Sequence, residues 1–141
     1  MKNDKFSEIE IPEVVREIEF LSNENISSLS DFIKRLEKQE VQWHKVEEWE
    51  SLDDVEILEL LVNVVAPIGM LSVVCESSHN VGGAAYRLNS VDLMEFVSTH
   101  IAVFGECFFN GDVLITSPTQ KLIWFFHHEG VFAVVSLLKM Q

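Results

Sequence analysis

Five histidines and two cysteines carry the chain's ligand nitrogens and sulfurs, and only His127 and His128 stand side by side. With Glu129 next to them, they have the residue types of a metal site or an acid–base pair. On a strand, adjacent side chains point to opposite faces, which predicts that His127 and His128 do not share one ion. His44, His79 and His100 are scattered, and no further ligand pair stands at a spacing that would complete a set. The pattern predicts polar residues lining a turn, with no metal and no cofactor.

Cys107 could face a histidine across a sheet and form a nucleophile pair, but a reactive thiolate needs an exposed, electropositive setting. Its neighbours are Glu106 and Phe108 in an acidic chain, so it reads as a small core residue. Cys75, after Ser72-Val73-Val74, reads the same way. Ser78, His79 and Asn80 are adjacent in sequence, whereas nucleophile, base and orienting group converge through a fold. Gly82-Gly83 lacks the Gly-Lys-Ser/Thr that completes a phosphate loop. Residues 77–83 therefore read as a mobile surface loop. No catalytic residue is assigned, and the chain is not expected to be an enzyme.

One acidic stretch has the chemistry of an interface. Glu40, Glu47, Glu48, Glu50, Asp53, Asp54, Glu56 and Glu59 are opposed only by Lys45, with Trp43 and Trp49 among them. Aromatic side chains anchor a protein interface, and carboxylates steer a basic partner onto it. The candidate partner-binding residues are Trp43, Glu47, Glu48, Trp49, Glu50, Asp53 and Asp54. The competing reading makes both tryptophans core residues beneath a solvated face, since tryptophan is highly buried on average.

The elements that must position these residues follow from periodicity. Phe6, Ile9 and Ile11 suggest an extended lead-in, and Pro12 suits the first turn of a helix with Val14, Val15, Ile18 and Leu21 on one face. Ser28 and Asp31 make a near capping box before an amphipathic helix over 29–38. A short strand is expected at 41–46, then an acidic bend, then a helix from about Asp53 to Val65 that Pro67 ends. Strands are expected at 70–75 and 84–88, with a helix from Asp92 that stops at Gly105. Residues 106–139 read as four strands joined by tight turns, the first turn at Asn110-Gly111, because β-branched and aromatic residues fill the runs. The fold class expected is α+β: an antiparallel β-meander in the C-terminal half with amphipathic helices packed on one face.

Length and composition suit one globular domain over residues 1–141, and a chain 48% apolar can bury a core without metals or disulfides. Two cysteines do not make a secreted disulfide framework, and no apolar run reaches the roughly 20 residues of a membrane helix. A cytoplasmic protein without a membrane partner is expected. The formal net charge is −13, with 17 acids against 7 bases in residues 1–65 and 6 against 3 in the remainder. That balance argues against nucleic acid, whose phosphates need lysine and arginine, and favours a cationic protein partner. Acidity that merely keeps the protein soluble is the simpler alternative.

The C-terminal meander combines Gly111-Asp112 before an apolar strand, Ser117-Pro118, Trp124 in the next strand and His128-Glu129-Gly130 at the turn. In this it resembles immunity proteins of bacterial contact-dependent and other polymorphic toxin systems. The resemblance implies a non-enzymatic inhibitor that binds a toxin domain, often a basic nuclease, inside the cell. Two other classes are open: a small enzyme using His127, His128 or Cys107 in a pocket beside the sheet, and an adaptor acting as a homodimer.

Overall fold

The computed structural model describes residues 5–79 and 83–140. Its centre is a seven-stranded sheet in which every neighbouring pair runs antiparallel, in the order β1-β4-β3-β5-β6-β7-β2. The strands are β1 (Phe6–Ile9), β2 (His44–Lys45), β3 (Met70–Val74), β4 (Ala85–Asn89), β5 (Val113–Ser117), β6 (Leu122–His127) and β7 (Val131–Ser136). The helices are α1 (Ile11–Ser22), α2 (Leu29–Glu37), α3 (Asp54–Val64) and α4 (Leu93–Phe104). The α+β class and an antiparallel meander in the C-terminal half are as the sequence predicts, although the meander consists of β5, β6 and β7 alone.

Capping chemistry sets the helix boundaries. Asp53 accepts from the Glu56 amide at 2.9 Å while the Glu56 carboxylate accepts from the Asp53 amide at 3.2 Å, a complete capping box at the start of α3. Ser28 caps α2 through the Asp31 amide at 3.1 Å, whereas the Asp31 carboxylate pairs with Arg35, also at 3.1 Å, one turn along the helix. Gly105 ends α4 in the left-handed conformation, at φ 76°.

The helices lie on both faces of the sheet, not on one. Val14 and Ile18 of α1 and Phe32 and Leu36 of α2 pack with Leu114, Ile123, Phe125, Ala133 and Val135. Ile57, Leu58 and Leu61 of α3 and Phe96 and Val97 of α4 pack with Val113, Ile115, Trp124, Phe126 and Phe132 on the other side. The physical reason is visible in Leu122–Phe126 and Val131–Val135: both strands are apolar at every position, so each face exposes a hydrophobic surface that must be covered. A strand with one wet face would alternate. On the α1 side, Ser72 donates to Glu17 at 2.7 Å and Arg87 donates to the same carboxylate at 3.0 Å, tying the helix to β3 and β4.

Three further expectations are corrected. The meander has three strands, because residues 107–112 form a loop: the Asp54 carboxylate accepts from the amides of Phe108 at 2.7 Å and Phe109 at 3.1 Å, and those amides are then not available to a ladder. Asn110-Gly111 is consequently not a hairpin turn. The strand expected at 41–46 shrinks to the two residues of β2, which pair with β7 at the sheet edge. Residues 76–79 form a short 3-10 turn in which Ser77 and Ser78 are buried, rather than a mobile surface loop; residues 80–82 lie outside the described residues. Ser78 accepts from the Cys75 amide at 3.2 Å, which accounts for its burial.

Candidate functional site

The β6–β7 turn brings together more chemistry than any other part of the described residues. Its geometry depends on Gly130, which takes φ +84°, and a Cβ there would collide with the Trp49 indole. Gly130 also accepts from the Val46 amide at 2.8 Å, so the segment after β2 is fastened to this turn.

His127 is the last residue of β6 and points to the α1/α2 side, where its Nε2 lies 2.6 Å from the Glu37 carboxylate. The Glu129 amide donates to its Nδ1 at 3.1 Å. In the neutral ring the Nδ1 lone pair is thus taken, and Nε2 carries the proton toward Glu37. His128 is outside the strand, in the turn, and so escapes the alternation rule. Its Nδ1 lies 2.9 Å from the Asp112 carboxylate, its amide donates to the same oxygen at 2.8 Å, and its ring centroid stands 4.0 Å from that of His127. The hydrogen bond to Asp112 raises the His128 pKa from its ordinary value. The expectation that His127 and His128 are kept apart by opposite strand faces is therefore wrong: Asp112, His127 and His128 each offer a ligand atom, all within 4.8 Å of one another.

Beside this cluster is a recess of about 420 Å³ whose lining includes Ile11, Leu29, Ile33, Glu37, His79 and Asp112. Sequence reasoning missed Glu37 and Asp112. Asp112 had a signal, since Val113 pairs with Phe126 and the residue before it therefore stands at the level of His127. Glu37 had none, because helix α2 is brought to β6 only by the fold.

The seven candidate interface residues divide between roles. Glu47, Glu48 and Glu50 are exposed. Trp49 is half-buried, its ring 5.4 Å from Phe126 on the α3/α4 side, while Trp43 is half-buried against Phe125 at 6.0 Å on the α1/α2 side. The two tryptophans straddle the sheet edge rather than share one surface. Asp53 caps α3, and Asp54 holds the 107–112 loop.

The thiols part company. Cys75 is buried, and burial pushes its pKa up, which keeps it a thiol. Cys107 is exposed, so the expectation of a core residue fails there: it sits in the loop that replaces the anticipated strand. His100 is buried in a nest of Phe96, Phe104 and Phe108, and among the described residues neither ring nitrogen has a hydrogen-bond partner. Burial lowers its pKa, against the opposing pull of Asp54 and Glu106.

No family model matches this chain, and no curated protein or solved structure does so either. Among the described residues no helix is long and apolar enough to cross a membrane.

Proposed function

We propose that the chain is an acidic binding protein of the immunity type, which neutralises a cationic toxin domain in the cytoplasm by tight non-covalent association. The observation that carries this reading is the exposed acidic rim along the sheet edge and the start of α3. Glu47, Glu48, Glu50, Asp53, Glu56 and Glu59 are all exposed there, and the only opposing base in that stretch, Lys45, stands 3.7 Å from Glu47 with both side chains mostly solvated. Such a rim raises the local potential felt by a basic partner and speeds its arrival more than it strengthens the final complex. Trp49 gives the rim a half-buried aromatic flank, held in place by Gly130 and Phe126.

The test is stopped-flow association with the toxin domain encoded by an adjacent reading frame. Glu47→Lys, Glu48→Lys and Glu50→Lys together should slow association at least roughly tenfold at low salt and much less at high salt. Asp53 is left out of this set because it caps α3, and its loss would unsettle the fold as well as the charge. An association rate indifferent to both charge and salt, or the absence of any basic toxin domain beside the gene, would end this reading.

A second reading is favoured by one specific feature. The recess that Glu37, His79 and Asp112 line has histidine beside carboxylate, the arrangement that general acid–base catalysis uses. A small enzyme would lose turnover, with binding of its ligand retained, on Glu37→Gln or Asp112→Asn. The inhibitor reading instead expects protection of toxin-exposed cells to survive both changes.

A further inference from the structure

We infer that Asp112, His127 and His128 form a binding site for a zinc ion, with Glu37 orienting His127. Two imidazoles and one carboxylate, each offering an atom within 4.8 Å of the others, make the nitrogen-and-oxygen set that Zn²⁺ takes when it keeps a fourth position open. Ligand atoms around a tetrahedral zinc stand about 3.3 Å apart, given bonds of about 2.0–2.1 Å. The set therefore needs the His128 ring, now 4.0 Å centroid to centroid from that of His127, to swing out of its stack, and its side chain, 55% exposed, has solvent to swing into.

The surroundings are those of a metal ligand shell. A metal-bound histidine ordinarily donates its other ring N–H to a carboxylate, which fixes the tautomer and ring orientation. Glu37 stands 2.6 Å from His127 Nε2 and leaves Nδ1 as the nitrogen for the ion, with the weaker Glu129 amide contact at 3.1 Å given up in exchange. Asp112 uses one oxygen, Oδ1, for both the His128 amide and its ring. Zinc takes the place of the ring contact, so that His128 Nδ1 and an Asp112 oxygen both turn to the ion while the amide contact is kept. The adjoining recess of about 420 Å³ leaves room for water at the remaining position. The ligands come from β6, the turn after it and the residue before β5, so the ion would staple the β5–β6–β7 end of the sheet, and Glu37 would extend the staple to α2. The site stands whether the protein is an inhibitor or an enzyme.

The experiment uses the full chain after treatment with a chelator, titrated with Zn²⁺ by calorimetry and with Co²⁺ by visible absorption. One ion per chain at micromolar or tighter affinity is expected, with a rise in melting temperature and the intense visible bands of tetrahedral cobalt. His128→Gln and Asp112→Asn should each weaken binding by at least about tenfold, and Glu37→Gln by about 10–100-fold, the usual effect of losing a histidine's outer partner. Cys107→Ser removes the exposed thiol and should change nothing. Each variant is titrated well below its own metal-free melting transition, because Asp112 accepts from the His128 amide and lies against its ring, and either change weakens that turn. Folded wild-type protein that binds no zinc overturns the inference. So does binding that survives in a folded variant lacking both histidines, or binding that vanishes with Cys107→Ser.

Discussion

His100 and His127 are both buried, one on each side of the same sheet, and they solve the problem of a buried imidazole in opposite ways. His127 has a partner for each nitrogen, the Glu37 carboxylate and the Glu129 amide. His100 has none among the described residues, and is surrounded by the rings of Phe96, Phe104 and Phe108. A buried polar group without a partner costs free energy that a satisfied one does not. The α1/α2 face thus uses its histidine as a connection between helix and strand. The α3/α4 face treats its histidine as one more ring in an aromatic cluster and tolerates the penalty.

The largest test of this contrast is on the α3/α4 face itself. Trp124 is 1% exposed, and its indole N–H donates to the Val65 carbonyl at 2.9 Å, so this face does satisfy polar atoms where the geometry allows. Trp124→Ala should cost about 3–5 kcal/mol in urea-induced unfolding. A variant as stable as the parent would show that the aromatic cluster is not the core of that face.

Next in size is the carboxylate that shapes the loop beside His100. Asp54 accepts from the Phe108 and Phe109 amides, both on buried residues. Asp54→Ala leaves two donors without an acceptor and should cost about 1–3 kcal/mol. Amide hydrogen exchange at residues 108 and 109 would locate the loss. Protection unchanged at those two amides would mean that the loop is held by its phenylalanines alone.

What the sequence made legible, and what it hid, divides along a similar line. Helix starts were legible because Ser28, Asp53 and Pro12 act within a few residues of themselves. The three-strand meander was legible because its runs are long and its turns short. The loop at 107–112 was not, because Asp54, more than fifty positions away, overrides a local hairpin signal at Asn110-Gly111. The second layer of helices is hidden for a different reason: it follows from the unbroken apolar run as a whole, which has two faces to cover, and not from any local capping or turn residue. The cluster of Asp112, His127 and His128 was lost to the alternation rule, which applies to His127 in β6 and not to His128 one residue beyond it. Glu37 could be found only once α2 had been placed against β6.

A smaller effect is expected where the histidine is satisfied. Glu37→Ala removes the acceptor from His127 Nε2 and should destabilise the metal-free protein by about 0.5–1.5 kcal/mol, the ordinary net worth of one hydrogen bond. Chemical denaturation measures it, and an effect above about 3 kcal/mol would mean that Glu37 does more than hold one ring.

The smallest change in stability, and the most informative, belongs to His100→Leu. The substitution removes a side chain with two unpaired nitrogens and replaces it with an apolar one of similar bulk, so at neutral pH it should be neutral or slightly stabilising. The pH dependence carries the contrast. Burial lowers the His100 pKa in the folded state from its ordinary value of 6.5, which the unfolded chain keeps. As pH falls below about 6.5, the unfolded chain takes up a proton that the folded one resists, and stability must fall with it; above that range both forms are neutral and the term vanishes. Asp54 and Glu106 favour the protonated ring and moderate the loss without reversing it. Urea midpoints for parent and variant at about pH 7.5 and about pH 5.5 isolate the effect, because the other four histidines are common to both proteins. The parent should lose more stability on acidification than His100→Leu does. Equal losses would mean that the aromatic nest admits a partner for His100, and the two faces would then differ far less than their hydrogen bonds suggest.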